Sequence, residues 1–146
     1  MIDTILSLQK PLEDYIEAFE KQNARSLALF EPLVEDGFIF QDPYRRGQGA
    51  SGLAHIMMGR LKMYEGTRYK VYDFTWGRRD MTAYMFWSFS FQVKKKGLIK
   101  SEKSTHAIEG MSELVFSGDK KLLSHTDFWG GHEAFDAKAY KALDES

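Results

Sequence analysis

The chain changes its pattern of apolar positions near residue 66, from a helical spacing to a strand spacing. In the first part, apolar residues recur every three or four positions, which predicts amphipathic helices. The clearest helical set is Leu12, Tyr15, Ile16 and Phe19. In the second part, apolar and polar residues alternate, which predicts strands that each bury one face. Helices followed by a run of strands predict an α+β domain, with the helices on one face of a curved antiparallel sheet.

Three helices are predicted in the first part of the chain. Pro11 suits a first helical turn, and a second short helix is expected over residues 24–29. Ser51 is the expected N-cap of the third helix. The apolar face of the third helix carries Leu53, Ile56, Met57 and Leu61.

Five strands and a closing helix complete the prediction. The strands are expected over residues 38–41, 69–76, 82–93, 102–116 and 122–129. The connections are expected at residues 47–52, 77–80, 94–97 and 117–120, where glycine and charged residues favour loops and hairpin turns. A final helix is predicted over residues 132–143.

Composition narrows the class of protein. The 146 residues are 43% hydrophobic and 28% charged, with a formal net charge of -1. These values predict one soluble globular domain over residues 1–146, with no nucleic-acid or membrane partner. The absence of cysteine excludes disulfides, thiolate catalysis and zinc–thiolate sites. No signal peptide or membrane span is recognisable, so a cytoplasmic location is the default expectation.

The two faces of the predicted strand 82–93 differ in character. One alternating set is strongly apolar and consists of Met85, Trp87, Phe89 and Phe91. The opposite set is mixed and consists of Tyr84, Phe86, Ser88 and Ser90. A sheet that is partly apolar on both faces usually hides the second face against a partner. The pattern therefore predicts a homodimer formed through the sheet face.

Three segments carry a resemblance to a known superfamily. They are "DYIEAFE", "LFEPLVEDGFIFQDPYRRGQGASGLAHIM" and "IEGMSELVFSGDKKLLSHTDFWGG". In this order and spacing they resemble the nuclear-transport-factor-2-like (NTF2-like) superfamily, which includes ketosteroid isomerases and SnoaL-like polyketide cyclases. The resemblance implies a cone-shaped curved antiparallel sheet packed against N-terminal helices, with an interior pocket. Function is not decided by this fold, because its members range from isomerases to binding modules.

The resemblance also implies roles for individual residues. Asp42 stands where the isomerases keep a general base, and Tyr15 stands where they keep a hydrogen-bond-donating tyrosine. Ser112 stands where they keep a protonated carboxylic acid that helps to stabilise an oxyanion. A serine hydroxyl is shorter than a carboxylic acid, and this departure counts against steroid isomerisation.

Strand alternation predicts which other side chains share the interior with Ser112. On its own strand these are His106, Ile108, Leu114 and Phe116, and on the next they are Leu123, His125, Asp127 and Trp129. Glu109, Glu113 and Thr126 would then point to the opposite face. Phe19 and Ile56 are expected to reach the same interior from the helices.

Each candidate group has a structural alternative. Asp42 is either a partly buried base or an Asx-turn residue that caps nearby main-chain N–H groups. His125 and Asp127 are either a general acid–base pair or a satisfied buried pair. A metal site is not expected, because no recognised ligand spacing is present. Arg45 and Arg46, with Arg60 and Lys62 further on, could cover the entrance of an anionic ligand, but a solvated loop is the favoured interpretation.

Two hypotheses follow from these observations. In the first, a pocket binds a small apolar molecule and performs cofactor-independent acid–base chemistry of the isomerase, cyclase or dehydratase type. Its catalytic residues would be Asp42, Tyr15, His125 and Asp127. Its ligand-binding residues would be Phe19, Ile56, His106, Ile108, Ser112, Leu114, Phe116 and Trp129. In the second, the same fold is a non-catalytic ligand-binding or dimeric interaction module.

Overall fold

A computed structural model describes residues 2–23, 26–94, 103–131 and 135–143. Its helices are α1 (Ile2–Glu20), α2 (Gly49–Met63) and α3 (Ala137–Ala142). Its strands are β1 (Val34–Gln41), β2 (Arg46–Gln48), β3 (Glu65–Trp76), β4 (Thr82–Lys94), β5 (Lys103–Phe116) and β6 (Leu122–Phe128). Two short 3₁₀ turns, Ser26–Leu29 and Glu31–Leu33, connect α1 to β1.

The strands form one six-stranded sheet in the order β2-β1-β6-β5-β4-β3. Every neighbouring pair is antiparallel except β1 and β6, which are parallel and pair Phe40 with His125. The predicted α+β cone is therefore confirmed, but the sheet is mixed rather than purely antiparallel. Parallel pairing needs a long connection, and here most of the chain lies between the two strands.

The core lies between the helices and the inner face of the sheet. The predicted inward set on β4, Met85, Trp87, Phe89 and Phe91, is buried. Strand β5 adds Ile108, Ser112, Leu114 and Phe116, as the alternation predicts. The helices cover this face with Leu8, Leu12, Tyr15 and Phe19 from α1 and with Leu53, Ile56 and Met57 from α2. Each large apolar side chain buried in this way contributes about 1.5–3 kcal/mol of transfer free energy.

Both long helices begin earlier than predicted. Pro11 lies inside α1 rather than in its first turn, because Leu8 already packs in the core one turn before Leu12. Helix α2 begins at Gly49, whose φ of 68° suits glycine. Its N-cap is Gln48, so Ser51 lies within the helix and the predicted loop is strand β2 followed by helix.

Several other boundaries also differ. Strand β3 begins at Glu65, four residues before the predicted start. In β6, a register shift opposite Val115 and Phe116 makes Leu123 the extra residue of a β-bulge. Leu122 is buried in its place and Leu123 is 45% exposed, so the prediction that Leu123 faces the interior was wrong.

The closing helix is shorter than predicted. Helix α3 spans Ala137–Ala142, and its N-cap Asp136 accepts a hydrogen bond from the main-chain N–H of Ala139. Residues 132–134, 95–97 and 24–25, which belong to predicted elements, lie outside the described residues. Among the helices of the described part, none combines the length and apolar character that a membrane crossing needs.

Candidate functional site

Arg60 lies at the centre of a buried polar cluster between α2 and the sheet. Its guanidinium is placed there because Arg60 follows Leu53, Ile56 and Met57 on the core-facing side of α2, and it is only 4% exposed. Nη2 donates to Asp42 Oδ2 at 3.1 Å and to Asp127 Oδ2 at 3.3 Å. Thus two carboxylates converge on one guanidinium.

Arg60 also donates to two tyrosines and contacts Met57 Sδ at 4.0 Å from Nη1. Nη1 donates to Tyr69 Oη at 2.8 Å, and Nε donates to Tyr140 Oη at 3.2 Å. Burial alone would lower the pKa of Arg60, but the neighbouring tyrosines and carboxylates raise it well above its ordinary value. Burial raises the pKa of Tyr69 and of Tyr140, although Arg60 acts in the opposite direction. Both phenols are therefore neutral beside a charged guanidinium.

The two carboxylate oxygens of Asp42 make different contacts. At the end of β1, its Oδ1 accepts hydrogen bonds from the main-chain N–H groups of Tyr44 at 2.8 Å and Arg45 at 2.7 Å. This is the expected Asx turn. Its Oδ2 points inward, where it accepts from Arg60 and from the Tyr140 hydroxyl at 2.6 Å. One oxygen holds the turn, and the other belongs to the buried cluster.

Tyr15, His125 and Asp127 form a second chain of contacts on the other side of Arg60. Tyr15 Oη lies 2.7 Å from His125 Nδ1, and His125 Nε2 lies 2.5 Å from Asp127 Oδ1. Burial raises the pKa of Asp127, but His125, Arg60 and Ser112 outweigh it and hold the pKa below its ordinary value. Ionised Asp127 can only accept, so Nε2 carries a proton towards it. Burial, helped by Asp127, raises the pKa of Tyr15, whose neutral hydroxyl can donate to Nδ1.

Ser112 belongs to this second chain rather than to an oxyanion site. Its hydroxyl donates to Asp127 Oδ1 at 2.5 Å and accepts from Trp87 Nε1 at 2.8 Å. Its Oγ also lies 3.0 Å from His125 Nε2. These contacts fix the Asp127 carboxylate in the orientation that Arg60 uses.

A small cavity lies beside Arg60. Its volume is about 10 Å³, and it is lined by Arg60, Tyr64, Tyr69, Trp87, Phe89, Ile108, Trp129 and Phe135. Of the predicted ligand-binding residues, Ile108 and Trp129 border this space. Phe19, Ile56, Leu114 and Phe116 are buried in the core without lining the cavity.

His106 is not part of the cluster. It lies six residues before Ser112 on β5, a distance of about 20 Å along a strand. Its Nε2 is 2.8 Å from Ser104 Oγ, and its ring stacks on Phe91 at 5.7 Å between centroids. The structure therefore separates His106 from His125.

Two arginines contradict the favoured prediction of a solvated loop. Arg60 and Arg45 are buried, and only Arg46 of the three is exposed. The signal for Arg60 was present in the sequence, because it lies three and four positions after Met57 and Ile56 on one helical face. Tyr69 also lies at one of the alternate positions of β3 that face the interior. Tyr140 had no comparable signal, since the short α3 shows no clear apolar period.

A larger open groove lies elsewhere on the surface. It has a volume of about 510 Å³ and is bordered by Glu31, Glu35, Asp36 and the first residues of α2. It includes no predicted site residue. Within the described ranges, no group of three or more His, Asp or Glu side chains is placed to hold a metal ion.

Comparison with solved structures identifies the architecture. An NTF2-like protein of unknown function from Exiguobacterium sp. 255-15 superimposes with a TM-score of 0.65, covering 84% of this chain and 99% of that one, at 10% identity. This chain has the NTF2-like fold. The resemblance seen in its three sequence segments is thereby confirmed at the level of fold.

Two further structures share the NTF2-like fold. One is a SnoaL-like family protein from Agrobacterium tumefaciens C58, described as a candidate isomerase, with a TM-score of 0.63, 14% identity and coverage of 90% of this chain and 100% of that one. The other is TerC co-crystallised with polyporic acid, with a TM-score of 0.63, 12% identity and coverage of 95% and 98%. No protein-family model matches the sequence, and no curated protein is significantly similar to it. At these identities the comparisons establish the fold alone.

Proposed function

We propose that this protein binds a small, largely apolar molecule at the buried cluster and that Asp42 transfers a proton of that molecule. The observation that carries the proposal is the convergence of Asp42 and Asp127 on Arg60 inside an aromatic core. A buried ion cluster costs desolvation, and apolar residues of similar size often stabilise a fold as well or better. Clusters of this kind are typical of functional sites.

The two oxygens of Asp42 would have different roles. Oδ1 is held by the N–H groups of Tyr44 and Arg45, which fixes the direction of the carboxylate. Oδ2 is the atom that would accept a proton from an O–H or C–H group of the ligand and return it at a second position. Arg60 would stabilise the negative charge that develops on the ligand. Proton transfer of this kind requires no cofactor.

The second chain of contacts would position the first. Ser112 contacts Asp127 directly, and Tyr15 contacts it through His125. Asp127 in turn binds the Arg60 guanidinium that also binds Asp42. None of Asp42, Tyr15 and His125 lines the cavity as it stands. Asp42 Oδ2, however, is covered by Tyr140 of the 6-residue helix α3, whereas Tyr15 belongs to the long helix α1 and His125 packs against Phe19 of that helix. We therefore assign Tyr15, His125 and Asp127 to positioning and charge stabilisation rather than to direct contact with the ligand.

The walls of the cavity suit an apolar ligand. Trp87, Phe89 and Ile108 supply flat apolar surface, as is usual for small-molecule pockets. Among the described residues, nothing accepts a hydrogen bond from the buried Nε1–H of Trp129. Buried donors are normally paired, so this indole is available to a ligand. The crystallisation of TerC with polyporic acid supports the capacity of the fold to receive an organic molecule.

Asp42→Asn tests this proposal. Wild type and variant are incubated with enone, epoxide and hydroxyketone substrates, and product formation is followed by mass spectrometry and NMR. We expect turnover of one class and a loss of about 100-fold or more in the variant, because a positioned base typically contributes 10²–10⁴-fold. Asp36→Asn is the matched control, since Asp36 is an exposed carboxylate on the same strand. Equal turnover by wild type and Asp42→Asn would remove Asp42 from the mechanism.

The second candidate function is a non-catalytic dimeric module. It is favoured by the small size of the cavity and by the outer face of the sheet, where Phe86, Met111 and Phe128 are neighbours on adjacent strands and Phe128 is 51% exposed. We propose that this face forms a homodimer, whichever function holds. Sedimentation should find a dimer at micromolar concentration and a weaker one for Phe128→Lys. A monomeric wild type would contradict this proposal.

A further inference from the structure

We infer that the C-terminal segment, residues 135–143, occupies the ligand's place on Asp42, and that the ligand displacing it is a neutral phenol or enol carried on a planar ring. The inference rests on the proposed function, because it identifies the ligand class and the regulation of the same site. In this arrangement the segment is an internal competitor, and the described conformation is the closed state of the site.

The first observation is the hydrogen bonding of Tyr140. Its side chain is completely buried. Its O–H donates to Asp42 Oδ2 at 2.6 Å, and its oxygen accepts from Arg60 Nε at 3.2 Å. A phenol or enol has the same combination of one donor and one acceptor on a single oxygen. The Tyr140 hydroxyl therefore shows which chemical group the Asp42–Arg60 pair is arranged to receive.

The acceptor also excludes some ligand classes. Oδ2 belongs to a carboxylate, so the group that replaces the Tyr140 hydroxyl has to donate a hydrogen bond. A ligand carboxylate or phosphate placed there would instead lie a short distance from the Asp42 carboxylate. Asp127, which binds the same guanidinium, would add a second negative charge nearby. Like charges at such separations are strongly unfavourable in a buried site.

The second observation is the weak attachment of the segment. Tyr140 is its one fully buried side chain, Phe135 and Leu143 are half-buried, and Asp136, Lys138, Ala139, Lys141 and Ala142 are exposed. Helix α3 has only 6 residues, too few to be stable without tertiary contacts. A segment held by so little buried surface opens at a small fraction of the free energy of global unfolding.

The third observation is what the segment covers. Phe135 forms one wall of the cavity beside Arg60, packed edge-on against Trp129 with ring centroids 4.9 Å apart. The Phe135 and Tyr140 rings lie next to each other at 5.2 Å. Movement of this segment would join the small cavity to Asp42 Oδ2 and leave a space that two aromatic rings had filled. A planar hydroxylated ligand of two rings fits that space.

Two matched probes test the inference. 4-Hydroxybiphenyl carries a phenol and a second ring, as Tyr140 and Phe135 do together, and 4-methoxybiphenyl lacks only the donating hydrogen. Both are titrated by calorimetry into the wild type, Tyr140→Phe, Tyr140→Ala and Lys138→Ala. Lys138 is an exposed residue of the same helix and serves as the control. Circular dichroism establishes that the variants are folded.

We expect 4-hydroxybiphenyl to bind Tyr140→Phe about ten-fold more tightly than wild type, because the segment has lost the charged hydrogen bond that the probe replaces. Lys138→Ala should bind like wild type, and 4-methoxybiphenyl should bind every form at least about ten-fold more weakly than the phenol. Equal affinity for the two probes, or no gain in Tyr140→Phe, would overturn the inference while leaving a small-molecule site in place. Failure of both probes to bind any form, including Tyr140→Ala, would overturn the proposed function as well.

Discussion

Arg60 joins two halves of the buried cluster. One half is the chain Tyr15–His125–Asp127, and the other is Asp42 with Tyr140. The two halves are shielded from solvent in different ways. Tyr15 belongs to α1, a helix of 19 residues that buries side chains from Leu8 to Phe19, and His125 packs against this helix. Asp42 Oδ2 is covered by Tyr140, from a helix of 6 residues. A group beneath a long packed helix is exposed only by global unfolding, whereas a group beneath a short segment can be exposed by local opening. This difference in cover is why we propose that the Tyr15–His125 half positions the cluster and that the Asp42 half meets a ligand.

The largest expected effect comes from the residue that both halves share. Arg60→Met leaves Asp42 and Asp127 buried without their common cation. We expect the free energy of unfolding to fall by about 3–5 kcal/mol, the usual cost of an unpaired buried charge. Urea denaturation measures the change. The control is Lys62→Met, an exposed cation on the same helix, which should change stability by about 0.5 kcal/mol or less. A loss below about 1 kcal/mol for Arg60→Met would show that the guanidinium does not hold the halves together.

Alkaline pH should distinguish the halves through their tyrosines. Burial raises the pKa of Tyr15 and Tyr140, and it raises that of Tyr64 to about 12. Groups with a raised folded-state pKa contribute stability that is complete below the unfolded pKa of about 10 and is lost as pH rises above it. Each such tyrosine steepens the loss by up to about 1.4 kcal/mol per pH unit.

The two phenylalanine variants turn this into a comparison. At alkaline pH, Tyr15→Phe should reduce the slope of the free energy of unfolding against pH by nearly the full contribution of one tyrosine, because Tyr15 ionises only on global unfolding. Tyr140→Phe should reduce it less, because local opening already lets Tyr140 ionise. Urea unfolding between pH 9 and 11.5 provides both slopes. Equal reductions would mean that the two halves open together.

Acid pH tests the positioning half alone. Asp127 has a folded-state pKa below its ordinary value, so it contributes stability that is present above the unfolded pKa of about 3.9 and is lost as pH falls through the folded value. Asp127→Asn should therefore be less stable than wild type at pH 6 and should lose less on acidification to pH 2.5. Asp36→Asn, at an exposed carboxylate, should keep the wild-type acid profile. An unchanged acid profile in Asp127→Asn would contradict the assignment.

The smallest expected effect concerns the fit of the C-terminal segment. A Cβ at Gly59 would lie 2.7 Å from Arg45 Nη1 and 3.1 Å from Leu143 Cδ1. Gly59→Ala should therefore loosen residues 137–143 and speed their amide exchange severalfold. Global stability should change by less than about 1 kcal/mol, because alanine also favours the helix. Gly118→Ala adds a Cβ with no atom within 4 Å and should leave exchange at 137–143 unchanged. Unchanged exchange at 137–143 in Gly59→Ala would show that the segment packs independently of α2.

Much of the fold was predictable because it follows from local patterns. The change of period near residue 66 predicted the order of helices and strands, and alternation placed Ser112, His125 and Asp127 on the inner face. Leu123 was misplaced because a β-bulge shifts the alternation by one residue. The parallel pairing of β1 with β6 joins distant parts of the chain and has no local signature.

The site was predictable only in part. Asp42, Tyr15 and Ser112 were named from the resemblance, and His125 and Asp127 from strand alternation, but the arginine that joins Asp42 to Asp127 was not. Arg60 was assigned to a solvated loop because charged residues are usually exposed, although its helical position placed it on the apolar face. Tyr140 reaches Asp42 from 98 residues away in sequence, and only the folded chain reveals that contact.

Amide exchange in the C-terminal segment tests most directly whether a ligand and this segment compete for Asp42. Exchange of residues 137–143 is measured by mass spectrometry in the wild type, with and without 4-hydroxybiphenyl at a concentration that saturates binding. Competition predicts faster exchange in the segment when the probe is bound, while α1 and the central strands stay unchanged. Slower or unchanged exchange in the segment of the saturated protein would contradict the account.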